Sequence, residues 1–140
     1  MEKLLEKAIE IATKAHSGQV NKGGVPYILH PTAVAAGVET TEQKIVAYLH
    51  DVIEDTDITA EDLLAEGLQN DIVDAIKVLT KKNGVPYMSY LQAVKKNELA
   101  RVVKISDIKH NMDLSRIENP TQRDFDRLDK YKKALLFLEE

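Results

Sequence analysis

Residues 50 to 55 read His-Asp-Val-Ile-Glu-Asp, an imidazole and three carboxylates within two turns of chain. The run follows an apolar stretch, Ile45, Val46, Ala47 and Leu49, that reads as a buried helix. Ionisable groups carried to such a place cost several kcal/mol unless they are paired or bound to a metal. On a continuous helix His50 would stand one turn from Glu54, and Asp51 one turn from Asp55. Two adjacent ligand types with a carboxylate pair one turn on point to a metal with acid–base groups beside it.

Other residues extend the pattern. His30 precedes Pro31, which can open a helix at its first position. Asp107 lies in an otherwise apolar helical stretch beside Ile105 and Ile108, with Asn111 one turn later on the same face. Converging in space, His30, His50, Asp51 and Asp107 would offer two imidazoles and two carboxylates. That donor set suits manganese, zinc, iron or cobalt better than magnesium or calcium, which prefer shells of oxygen. Each residue also has a plainer use. His30 can serve as a helix-entry hydrogen bond, His16 as a cation at the end of the first helix, and His110 as a surface residue. Asp107 can pair with Lys104 or Lys109, and Glu54, Asp55 and Asp57 can form an acidic helix end. Their coincidence in one small chain weighs against all these uses holding together.

The elements that must position these groups are helical. Leu4, Ala8, Ile11 and Ala15 make one apolar stripe; Ile72, Ile76 and Leu79 make another; Leu128, Tyr131, Leu135 and Leu138 a third. Thr40 with Gln43, Thr59 with Asp62, and Thr121 with Asp124 have the types and spacing of helix starts. The pattern predicts helices near 2–17, 31–38, 41–54, 60–66, 69–81, 86–97, 98–114 and 121–138, and no strands. The expected class is all-α, with one domain over residues 1–140. Loops are expected at Gly18–Pro26 and Ser115–Pro120. Gly24-Val-Pro-Tyr27 recurs as Gly84-Val-Pro-Tyr87, and in unlike surroundings this reads as turn-into-helix punctuation, not a repeat.

Composition narrows the function. A net charge of −4 and a pI near 5.6 argue against a general nucleic-acid-binding role. With no cysteine, disulfides, thiolate–zinc sites and cysteine nucleophiles are excluded. No apolar run approaches membrane-spanning length, and the start lacks a signal-peptide pattern, so a soluble cytoplasmic protein without a membrane partner is expected. Homo-oligomerisation is left open.

These segments together resemble the HD-domain metal-dependent phosphohydrolases. They are closer still to the hydrolase domain of Rel/Spo enzymes and its free-standing small relatives, which remove the 3′-pyrophosphate of the alarmone (p)ppGpp. The resemblance is carried by Ala15-His16-Ser17-Gly18-Gln19, Pro26-Tyr27-Ile28-Leu29-His30-Pro31, Leu49-His50-Asp51-Val52-Ile53-Glu54-Asp55-Thr56, Ser106-Asp107 and Asn111-Met112. It implies a compact HD-type helical bundle and one divalent cation, typically manganese, held by His30, His50, Asp51 and Asp107. It implies further that Glu54 and Asp55 position and deprotonate the attacking water, that Asn111 contacts the ribose, and that Lys22 lies in the loop that meets the nucleotide. A metal would lower the pKa of bound water toward ~7 and stabilise charge on the phosphoryl oxygens.

The sequence departs from the alarmone-hydrolase pattern where substrate cations are expected. Asn21 stands where that group usually carries an arginine that stacks on guanine, Ile108 follows Asp107 in place of arginine, and Asp113 follows Asn111-Met112 where arginine is common. The metal pattern is untouched. A (p)ppGpp 3′-pyrophosphohydrolase is therefore the first expectation, and an HD-domain phosphohydrolase for another nucleotide or phosphoester the second. A non-catalytic metal- or nucleotide-binding module is the third, and it gives no reason for having both Glu54 and Asp55. Because the chain stops at Glu140 without synthetase or regulatory segments, a full-length bifunctional enzyme is not expected.

Overall fold

The computed structural model describes residues 2–20, 24–113 and 119–140. Within them lie nine helices: α1 (Glu2–Ala15), α2 (Leu29–Ala36), α3 (Thr41–Leu49), α4 (Val52–Asp55), α5 (Ala60–Ala65), α6 (Asn70–Leu79), α7 (Tyr87–Lys96), α8 (Glu98–Asn111) and α9 (Gln122–Glu139). The described residues hold no strand, only an isolated antiparallel bridge between Val20 and Pro26. The all-α expectation is borne out.

α3 and α8 form the centre. Ile45, Val46, Ala47 and Leu49 bury most of the surface of α3, as expected of a helix that is apolar on nearly every side. α1, α2, α6 and α8 all pack on it. α1 presents alanines, Ala8 and Ala12, on its buried face, while α6 contributes Ile72, Val73, Ile76 and Leu79. α8 also meets α7 and α9. Each fully buried aliphatic side chain in this core contributes roughly 1.5–3 kcal/mol.

Local signals fix several helix starts. Thr40 and Gln43, Thr59 and Asp62, and Thr121 and Asp124 form the expected reciprocal capping boxes. Both Gly-Val-Pro-Tyr segments are turns that lead toward a helix, and Gly24 and Gly84 adopt the positive φ (78° and 85°) that favours glycine.

Most expected boundaries move by one to three residues, and two differences bear on the site. α2 begins at Leu29, so Pro31 sits inside its first turn, where its missing N–H still costs nothing. The predicted helix over 41–54 is divided: α3 ends at Leu49, and α4 starts at Val52. At the break, Asp51 has φ −106° and ψ −2°. The His50 ring donates from Nδ1 to the Ala47 carbonyl at 2.6 Å, the acceptor that a continuing helix would offer to the Asp51 N–H. The expected loop Ser115–Pro120 lies outside the described residues, apart from Asn119 and Pro120.

One contact brings two distant parts of the site together. Ser106 on α8 donates to the Val34 carbonyl on α2 at 2.8 Å. A Cβ at Gly37 would stand 2.3 Å from the Ser106 hydroxyl oxygen, so only glycine allows this approach. It sets His30 of α2 beside Asp107 of α8.

Candidate metal centre

Four residues spread over 78 positions of sequence meet in one place. His30 comes from the first turn of α2, His50 and Asp51 from the α3–α4 break, and Asp107 from the middle of α8. His30 Nε2 lies 2.7 Å from Asp107 Oδ1, and His50 Nε2 lies 3.4 Å from the same oxygen. Ligand atoms of His30, His50 and Asp107 fall within 4.8 Å of one another, close enough to share a metal ion. Asp51 joins from the side. Its Oδ2 is 3.0 Å from His50 Nε2 and accepts a short hydrogen bond from the Tyr27 hydroxyl.

The surroundings hold these groups in defined states. Asp107 is 4% exposed. Burial alone would raise its pKa, but Lys104, with Nζ at 2.8 Å from Oδ2, and the two imidazoles hold it well below the usual carboxylate range. Asn111 Nδ2 donates to Asp107 Oδ1 at 3.2 Å. Burial likewise opposes the charge of Asp51, yet His50 outweighs it and lowers the pKa to about 2. Burial disfavours the His50 imidazolium, but the carboxylates of Asp51 and Asp107 win and raise its pKa well above the ordinary value. Burial and then Asp51 push the Tyr27 hydroxyl upward, so it remains a donor. Lys104 is raised as well: its burial is outweighed by Asp107.

His50 Nδ1 is committed to the Ala47 carbonyl, while Nε2 is buried and lacks a hydrogen-bond partner among the described residues. In a neutral ring the Nε2 lone pair would face two carboxylates at 3.0 and 3.4 Å. Only a proton or a cation relieves that arrangement. A backbone carbonyl behind a histidine is also a common way to orient a metal ligand. The residues fit a divalent metal.

A cleft of about 590 Å³ opens above this floor, with Glu54, Asp55, Lys104 and Asn111 among its walls. Burial pushes Glu54 upward against its hydrogen bond from the Lys81 backbone N–H at 2.9 Å, and Asp51 and Asp55 add to the rise. Burial and the charge of Asp51 raise Asp55. Both carboxylates line the same cleft as His30, Asp51 and Asp107.

Some expected residues take other places. Asn21 and Lys22 lie outside the described residues. His110, expected at the surface, is partly buried: its Nδ1 is 2.7 Å from His30 Nδ1, and the two ring centroids are 4.9 Å apart. Its position three residues after Asp107 on a helix was the available signal. Tyr27, three residues before His30, was also missed as a partner of Asp51. His16 is 2% exposed and packs on the Tyr27 ring, with centroids 4.8 Å apart.

A helical protein with a buried histidine–carboxylate centre at the floor of an open cleft is the class defined by this fold and site. Residues 8–136 match the HD domain, and the chain belongs to that family. It is 33% identical over 126 residues to the bifunctional (p)ppGpp synthase/hydrolase SpoT of Escherichia coli K12, a match covering 79% of this chain and 18% of that protein. It is 41% identical over 86 residues to a guanosine-3′,5′-bis(diphosphate) 3′-pyrophosphohydrolase of Vibrio cholerae, covering 55% of this chain and 12% of the other. The chain thus spans less than a fifth of the length of these relatives. A solved structure described as a metazoan orthologue of SpoT that hydrolyses ppGpp shares the fold, with a TM-score of 0.79 and 20% identity. That match covers 96% of this chain and 84% of the other. No described helix is long and apolar enough to cross a membrane.

Proposed function

We propose that this chain is a cytoplasmic, metal-dependent phosphohydrolase that removes the 3′-pyrophosphate of (p)ppGpp. The observation that carries the proposal is the meeting of His30, His50 and Asp107 within 4.8 Å at the floor of a cleft walled by Glu54 and Asp55. The likeness to named (p)ppGpp hydrolases supports the choice of substrate.

His30, His50, Asp51 and Asp107 would hold one divalent cation, with manganese the first candidate. When bound, that ion supplies Lewis acidity to the phosphoryl oxygens and makes a neighbouring water more acidic. The chain's own residues do the rest. Ala47 and Tyr27 orient His50 and Asp51 through the bonds described above. Glu54 and Asp55 take the proton released by the attacking water, and burial keeps both basic enough for the task. Lys104 lines the cleft and adds positive charge facing the phosphates. Asn111, at the end of α8, meets the ribose, and the family resemblance implies a nucleotide contact for Lys22. Hydrolysis would leave a guanosine 5′-phosphate derivative and inorganic pyrophosphate.

Asn21 favours a second reading, in which the same centre cleaves another nucleotide or phosphoester. An asparagine cannot make the cation–π contact that an arginine makes with guanine. Purified protein supplemented with manganese should be screened against (p)ppGpp, dinucleotides and nucleoside phosphates, with products resolved by chromatography. Release of intact pyrophosphate from (p)ppGpp is expected. Cleavage of another phosphoester with none of (p)ppGpp would keep the hydrolase reading and remove the alarmone assignment.

A further inference from the structure

We propose that His110 is a positioning residue for the metal centre, setting the ring plane and proton position of His30 through a proton shared between their Nδ1 atoms. The inference rests on the metal reading above and adds a residue to it.

The geometry leaves few choices. His30 Nδ1 and His110 Nδ1 are 2.7 Å apart. Two bare imidazole nitrogens at that distance repel one another, and so do two N–H groups, so a single proton must lie between them. On its other side, His30 Nε2 is 2.7 Å from Asp107 Oδ1. If Nε2 carries a proton to Asp107, a neutral His30 has a bare Nδ1 and His110 donates. If Nε2 turns its lone pair to a cation, the proton of His30 resides on Nδ1 and His110 accepts. The pair keeps its hydrogen bond in both states.

The two ligating histidines are therefore held by different devices. His50 leans on a backbone carbonyl, which can only accept. His30 leans on an imidazole, which can accept or donate. The two rings meet edge to edge along that bond, with centroids 4.9 Å apart and planes inclined by 27°. Because Asp107 and His110 are three residues apart on α8, one helix carries both a ligand and the group that orients the ligand opposite. His110 also borders a second, shallower hollow beside Ala33, Gly37 and Asp113, so it forms part of the wall between that hollow and the cleft.

The test compares the wild-type chain with His110→Phe, which keeps a planar ring and removes the nitrogen, and His110→Gln, whose amide can donate or accept. Manganese affinity is read by titration calorimetry. Separately, nitrogen-15 NMR of zinc-loaded, histidine-labelled protein reads which ring nitrogen of His30 bears the proton. The expected result is a 10–100-fold weaker manganese affinity in His110→Phe, the usual cost of losing an outer hydrogen-bond partner. His110→Gln should recover most of the loss, and loaded wild type should show the His30 proton on Nδ1. Wild-type affinity in His110→Phe overturns the inference, as does His110→Gln binding no better than His110→Phe. A His30 proton on Nε2 in loaded wild type also overturns it, whether or not either variant folds. Wild type that takes up neither manganese nor zinc would instead defeat the metal reading on which this rests.

Discussion

Replacing Lys104 with methionine should destabilise the metal-free protein far more than the loaded one. Lys104 Nζ lies 2.8 Å from Asp107 Oδ2, and the two side chains are only 16% and 6% exposed. At that separation the attraction is about 6 kcal/mol for an effective dielectric near 20, before the cost of desolvating both charges. Removing one partner of a buried pair leaves the other uncompensated, at a typical net cost of ~3–5 kcal/mol. His30 and His50 still face Asp107, so the low end, ~3 kcal/mol, is expected. Methionine keeps much of the aliphatic stem but gives up the Nζ that lies 5.5 Å from the Tyr90 ring centroid, a cation–π contact of about 0.5–2 kcal/mol. A divalent cation against Asp107 would supply the missing positive charge. Urea unfolding followed by circular dichroism, in chelator and again with saturating manganese, measures both quantities. A deficit under ~1 kcal/mol in chelator would refute the view that Lys104 neutralises Asp107. A deficit that manganese leaves unchanged would refute a cation site at that carboxylate.

Asp51→Ala should abolish metal binding while helical content persists, and full metal occupancy in that variant would show that Asp51 is not a ligand. Glu54→Gln keeps side-chain shape but removes a base, so metal should remain bound while hydrolysis falls by ~10²-fold or more. Unchanged turnover would place the base elsewhere. The metal-free protein should lose stability at both ends of the pH range. Asp51 and Asp107 have lowered folded pKa values, so their contribution is present above about pH 4, the unfolded value, and is lost as pH falls; for Asp51 the loss extends to about 2. The folded pKa of His50 is raised, so its contribution is complete below about pH 6.5 and disappears as pH climbs through the folded value. Thermal melts in chelator that show no decline on the alkaline side would contradict the His50 assignment.

Much of the fold was legible because local chemistry and global packing agree. Each of the three Thr-x-x-Gln/Asp pairs forms its capping box, and the apolar run at Ile45–Leu49 is the central helix. His30, His50, Asp51 and Asp107 stood out as ionisable groups in or beside apolar surroundings, and they do meet. The break at His50–Asp51 was not legible, because it accompanies a side-chain bond to Ala47 that competes with helix continuation. Periodicity carries no trace of that competition. The role of His110 depends on how closely α2 approaches α8, and this follows from Gly37 meeting Ser106 across 69 positions of sequence. Helical spacing places His110 on the same face as Asp107, but it does not say which helix lies opposite. Tyr27 was hidden for the same reason: its partner Asp51 is 24 residues away, on another element.

Diffraction data collected at the manganese absorption edge from crystals grown with manganese would locate the metal independently of any assay. One anomalous peak is expected, within coordination distance of His30 Nε2, His50 Nε2 and carboxylate oxygens of Asp51 and Asp107. A peak elsewhere in the molecule, or none at these four residues with manganese saturating, would contradict it.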